Sequence, residues 1–311
     1  MPAYECTTKS GDFAEMIQTL EAIVNPFKGL ESESPDNVKK VELIQDENVR
    51  IALEKYDEAL HEFKSRINEP TFSSLMITAG QKVPPLTPAQ IDHVLQIISA
   101  SRETPMLIFE DYVEWRLYHS YKAGHRKFVL NFRDYLPYKI HLDAVEDGAT
   151  IVVNGNSPTA WWSDIGQGSK NVTYIINGKV GRDIGSDTAR CTFFANSDID
   201  ECGKHSGLGK FYIKGNINEL GNSSEESKFS VIGNVKNCGI NARHSEFLIK
   251  GSCDYIGNYA ENCKFIVKGG VLLRLGDELK SKNCTYVVYN EEAKKRLDEC
   301  LDGSNKVILK Q

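Results

Sequence analysis

The sequence predicts an α+β multidomain protein. An α-helical domain is expected over residues 1–125, a right-handed parallel β-helix with 18-residue coils over 126–290, and a capping helix with a tail over 291–311. Three observations carry this. Apolar residues recur at helical spacing in the first half, a Phe and Gly pattern repeats every 18 residues in the second, and the charge balance changes between them. Residues 1–147 hold 24 acidic and 16 basic side chains, a net of −8, whereas the remainder nets +2.

Composition bounds the reading. With 311 residues, 41% hydrophobic and 26% charged, the chain is an ordinary folded protein with room for two domains. A net charge of −6 argues against a general nucleic-acid binder. A membrane span needs about 18 consecutive apolar residues, and no such run occurs. The start, Met1–Cys6, lacks a signal-peptide profile. Eight cysteines without a Cys-x-x-Cys pair read as reduced thiols in a cytoplasmic protein.

The helices follow in order. Phe13, Ile17, Leu20 and Val24 recur at helical spacing between Asp12, a cap, and Pro26, a stop. Ser34-Pro35 opens a second helical stretch reaching about Ile67, with Val38, Val41, Leu43, Val49, Leu53, Tyr56, Leu60 and Phe63 as core positions. A short strand is expected over 71–79. Thr87-Pro88 starts a helix that places Ile91, Val94, Leu95 and Ile98 on one face. Thr104-Pro105 starts another, holding Phe109, Tyr112, Val113, Trp115 and Leu117. A helix-turn-helix reading of the last two fails: the second helix carries Glu110, Asp111 and Glu114, which a DNA groove repels.

The repeat dominates the second half. Phe211, Phe229, Phe247 and Phe265 stand 18 residues apart, as do Gly215, Gly233, Gly251 and Gly269. Degenerate copies begin near Ile151, Tyr174 and Phe193. Within a unit the first and third positions are apolar, the period of a strand with one buried face. Glycines mark the corners, where a positive φ or a tight bend is needed. Eighteen residues suit one coil with three short sides. About seven coils at about 4.8 Å each make a rod of about 34 Å with an internal Phe ladder. A left-handed coil needs an aliphatic residue every six positions. The series Leu220, Glu226, Ile232, Cys238, His244, Lys250 does not supply it, which favours the right-handed form. The end coils need covers, and the helical half and the expected helix over 290–301 are available.

Gly178-Lys179-Val180-Gly181-Arg182-Asp183-Ile184-Gly185 follows the strand Thr173–Asn177. This G-x-x-G-x-x-apolar-G spacing resembles the glycine-rich β-helix domain at the C-terminus of the glutamate synthase large subunit, and a similar domain in a formylmethanofuran dehydrogenase subunit. The resemblance covers about residues 148–290. Later coils depart from it by shortening the step between glycines to six residues, as from Gly215 to Gly221. It implies a spacer or scaffold that contacts partners, and it transfers no catalytic residue.

Several groups are candidate sites. Cys202-x-x-His205 has the spacing of two zinc ligands. Yet Cys202 shares its repeat position with Leu220, Cys238 and Ile256, which marks a small core residue, so no metal is expected. His119 and His125 sit where the helical half meets the β-helix, near Trp115, and an interface role outweighs that of a base. Asp198, Asp200, Glu201, Glu225 and Glu226 read as solvated loop acids. Trp161-Trp162 suits a cover for the first coil or a partner anchor. The outward positions Tyr212, Lys214, Ile232, Leu248, Lys250, Ile266 and Lys268 form one face, basic at its edges and apolar along its centre, with the character of a docking surface. The expected function is a non-enzymatic scaffold or protein-interaction subunit, engaging a protein partner or its own copies, with no cofactor, nucleic acid or membrane. The alternative is an enzyme of the carbohydrate-active or amido-transfer type with its site where the helical and β-helix domains meet.

Overall fold

The computed structural model describes residues 46–65, 83–100, 106–132, 148–155, 164–178, 182–272 and 279–310. The helix expected over 13–24, the strand over 71–79 and the Trp161-Trp162 pair lie outside these residues. The compact unit 46–311 contains every described element.

Three helices come first: α1 (Glu47–Ser65), α2 (Pro88–Ala100) and α3 (Met106–Lys122). Asp46 caps α1, accepting the backbone N–H groups of Asn48 and Val49 at 3.0 and 3.3 Å. The buried side of α1 is Val49, Ala52, Tyr56 and Ala59; the expected core residues Leu53 and Leu60 flank it, only partly buried. Alanines in the contact let the neighbouring helix approach closely. Thr87 and Gln90 close α2 reciprocally: the Thr87 N–H donates to Gln90 Oε1 at 2.8 Å, and the Gln90 N–H donates to Thr87 Oγ1 at 3.3 Å. Ile91, Val94, Leu95 and Ile98 are all buried, as the spacing predicts.

The rest is a parallel β-solenoid of the right-handed type with about seven turns and coils of about 18 residues. One sheet has ten strands, in the order β1 (Lys127–Phe132), β2 (Thr150–Gly155), β3 (Thr173–Asn177), β4 (Thr192–Ala195), β6 (Lys210–Lys214), β8 (Lys228–Ile232), β10 (Glu246–Ile249), β12 (Lys264–Val267), β13 (Thr285–Val288) and β14 (Lys306–Leu309). The second sheet has four: β5 (Ile199–Cys202), β7 (Ile217–Leu220), β9 (Val235–Cys238) and β11 (Cys253–Ile256). The third side of each coil is a line of single bridges, Ala189 to Gly207 to Glu225 to Arg243 to Glu261, rather than a strand.

Register follows the repeat. Phe193, Phe211, Phe229, Phe247 and Phe265 pair in sequence across the long sheet. Their rings stack 4.8–5.0 Å apart and within 12° of parallel. Tyr174 and Tyr286 extend the column at its two ends. Each terminal phenol has a serine partner in its own coil: Tyr174 with Ser169 at 2.7 Å and Tyr286 with Ser281 at 3.0 Å. In the coils of Phe247 and Phe265 the same inward position holds Ala242 and Ala260, whereas in those of Phe193, Phe211 and Phe229 it holds the buried hydroxyl residues Thr188, Ser206 and Ser224.

Glycine has two jobs. Gly203, Gly221, Gly239 and Gly257 hold φ between +64° and +69° at one corner. Gly215, Gly233 and Gly251 have ordinary φ but crowd the coil beneath: a Cβ on Gly233 would lie 2.0 Å from the Gly215 carbonyl oxygen.

The ends differ. At the first end α2 packs against β1, and Asp92 accepts from the Asn131 N–H at 2.7 Å and from its amide at 2.8 Å. At the other end α4 (Glu291–Cys300), capped by Asn290, buries Ala293 and Leu297. The expected tail then contributes β14, parallel to β13.

Candidate functional site

The outer face of the ten-stranded sheet is built by alternation. In each strand the residue between two core positions points outward, giving Phe194, Tyr212, Ser230, Leu248, Ile266 and Val287 in register. Two further rows border this stripe. Along one edge run Lys210, Lys228, Glu246, Lys264, Thr285 and Lys306, paired strand to strand. Lys214, Ile232, Lys250 and Lys268 follow along the other. Glu246 is the one acid among these positions, and its carboxylate lies 3.9 Å from Lys228 Nζ. The face is therefore strongly positive, with little internal neutralisation.

The seven residues expected on this face do share it, but not with equal exposure. Lys214 and Lys268 are exposed, and Ile232, Lys250 and Ile266 are intermediate. Tyr212 and Leu248 are buried, at 9% and 4% exposure, so the exposed apolar centre expected from the sequence is closed. In-register stacking contributes to this: the Phe194 ring lies on the Tyr212 ring at 4.9 Å, and small Ser230 fills the layer between Tyr212 and Leu248. Burial also pushes the Tyr212 phenol above its ordinary pKa.

The junction cluster is only partly assembled. His119, in the last turn of α3, stacks on Trp115 with ring centroids 3.4 Å apart. Burial, and then the Arg116 charge, lower its pKa, which keeps the imidazole neutral at neutral pH. His125 lies in the turn leading to β1, where its N–H donates to the Ser120 carbonyl and its own carbonyl accepts from Arg126. Arg126 also stacks over Tyr121 at 4.0 Å, so this turn is held by packing.

Elsewhere several polar groups are engaged in ladders between coils. Cys202 is fully inward and pairs with Leu220, while His205 is exposed beside Asp187 at 3.2 Å; the two do not converge. Among the described residues no group of three potential metal ligands comes together. Asp198 accepts the Asn216 N–H at 2.7 Å, Asn216 accepts the Asn234 N–H at 3.0 Å, and Asn234 accepts the Ser252 N–H at 2.8 Å. A second ladder, inside the coils, runs through Ser227, Ser245, Cys263 and Cys284, each accepting from the backbone N–H of its equivalent one coil earlier. Asp200 takes Asn218 at 2.6 Å and Arg182 at 3.3 Å. Glu201 is the unsettled member: burial, then the hydrogen bond and charge of Asp183, raise its pKa. Sequence reasoning missed these ladders, although their signal, polar residues recurring at the repeat step, was present.

Compared with protein-family models, curated proteins and solved structures, the chain matches none. What fold and site define is a helix-capped parallel β-solenoid with a lysine-bordered outer face.

Proposed function

We propose that this protein is a non-enzymatic scaffold, or the interaction subunit of an assembly, that docks an acidic protein surface on the outer face of its long sheet. The observation that carries this is the pair of lysine rows in strand-to-strand register along that face. Rigid spacing presents the charges without the ordering cost of a flexible basic segment, and such a field steers an acidic partner. Several polar and thiol groups of the described coils, Asp198, Asn216, Ser227 and Cys263 among them, hold one coil to the next, which fits a structural role. The resemblance to the spacer domain of glutamate synthase points the same way. The six buried thiols, with Cys191 pushed up to about 11 by burial, fit a reducing compartment such as the cytoplasm.

The test is a tagged triple variant, Lys214→Glu, Lys250→Glu and Lys268→Glu, expressed in the native cell and cross-linked before purification. The wild type is expected to carry cross-links from the unmutated Lys210 and Lys264 of the same face to an acidic protein or to a further copy, and the variant to lose these with its melting temperature unchanged. An unchanged set of cross-linked partners overturns the proposal.

A further inference from the structure

The two ends of the long sheet are finished differently. At the first end the outward-facing Asn131 N–H of β1 is taken by Asp92 of α2. At the other end β14 is the last strand, and among the described residues nothing pairs with its outer edge. The Lys306 N–H donates to the Cys284 carbonyl and the Lys310 N–H to the Val288 carbonyl. A parallel ladder alternates, so the N–H and C=O groups of Val307 and Leu309 face away from β13. The side chains of these two residues occupy the inward row, which is fully buried at Tyr286 and Val288 but only partly buried here. Among the described residues β14 is thus an edge strand, with unpaired outward backbone groups and two incompletely covered apolar side chains.

Charge selects what adds to it. Lys306 and Lys310 are both exposed and flank the edge on its outer side. A second copy, pairing antiparallel about a two-fold axis at Ile308, would set Lys306 opposite Lys310 of the other copy at both ends. These are non-hydrogen-bonded pairs, where side chains come closest, so the repulsion is felt twice. An extended segment with acidic residues four apart and apolar residues between them reverses both terms. We propose that the free edge of β14 receives such a segment of a partner protein as an eleventh strand. This site shares Lys306 with the lysine-bordered face, but its backbone groups at Val307 and Leu309 are its own and the Lys214, Lys250 and Lys268 variants leave it unchanged, so either can fail without the other.

The probe is a labelled nine-residue peptide centred on Glu-Val-Thr-Val-Glu, titrated into the full chain by fluorescence polarisation. Saturable binding is expected, weakened about tenfold when both Glu are replaced by Lys, since two reversed cross-strand pairs amount to that ratio. Leu309→Pro removes an outward-facing donor while sparing the ladder to β13, and is expected to abolish binding. Should that variant not fold, Lys306→Glu supplies the second readout. It places opposite charges at both ends of the two-fold pair, so the mass by light scattering is expected to double relative to wild type. Peptide binding indifferent to charge overturns the proposal. So does a wild-type dimer with Val307 and Leu309 amides protected from exchange, or a Lys306→Glu protein of unchanged mass that also ignores the peptide.

Discussion

Truncating Phe229 to alanine is the most direct probe of the solenoid core. The ring is 1% exposed and is sandwiched between Phe211 and Phe247 at 4.8 Å on either side. Its edge rests on Gly203 and Gly221, which have no side chain to move into the gap. The neighbouring rings cannot close up either. Backbone hydrogen bonds such as Lys228 N–H to the Gly209 carbonyl at 2.8 Å and Glu246 N–H to the Ser227 carbonyl at 2.9 Å hold the coils at their spacing. Phe→Ala in a core costs about 3–5 kcal/mol, more where the site does not collapse. A loss of about 4 kcal/mol is therefore expected. At about 2–4 °C per kcal/mol for a chain of this size, that lowers the melting temperature by about 8–16 °C. Urea unfolding followed by circular dichroism measures it, with Phe194→Ala as the control: that ring stacks on Tyr212 but points outward and is only partly buried. A loss below about 1 kcal/mol, or equal losses for the two variants, would refute the reasoning.

Three other perturbations test separate parts of the argument. Gly233→Ala forces a Cβ against backbone of the previous coil, which no rotamer change relieves, so a loss of about 2–3 kcal/mol is expected in the same unfolding assay. Glu201 binds its proton more tightly folded than unfolded, so stability falls as pH rises from about the ordinary value of 4.5 through the raised folded value. Glu201→Gln removes that fall: melting temperatures are expected to match wild type at acid pH, where both states are protonated, and to exceed it at neutral pH. Deleting residues 229–246, one whole 18-residue step, joins Lys228 to Phe247 in register and is expected to leave a soluble protein with its β-sheet spectrum. Deleting only 229–237, an odd number, reverses inward and outward positions and is expected to give insoluble protein.

What was legible depended on whether a residue's partner lay at the repeat step with an apolar letter. Four phenylalanines announced the column and degenerate copies pointed to Tyr174 and Phe193, which join it; the structure adds Tyr286. The Thr87-Pro88 start and its four core residues were readable because cap, proline and periodicity agreed. In α1 they did not agree: an amphipathic pattern left two adjacent faces open, and packing chose Ala52 and Ala59 over Leu53 and Leu60. β14 was hidden because α4 occupies most of the preceding coil, leaving neither Phe nor corner glycine to mark the repeat. The outer face was placed correctly by alternation, but exposure is not a property of alternation alone, and Tyr212 and Leu248 show it.

The repeat also changes what a polar residue means. In most folds, Asp, Asn, Cys and Ser gathered within a few ångströms suggest chemistry. Here coil stacking brings equivalents together whatever their function, and the hydrogen bonds from Asn216 to Asp198 and from Cys263 to Cys284 follow from register. Proximity at the 18-residue step therefore carries little functional information, whereas a departure from the ladder carries more. Among the described residues the unpaired edge of β14 is such a departure, since every other strand of the long sheet either pairs on both sides or, like β1, is met by a helix. The unbalanced lysine rows are another, because a ladder built only for stability would alternate sign, as Glu225, Arg243 and Glu261 do on the third side of the coils. Both departures are read from the geometry of the coil rather than from any single residue.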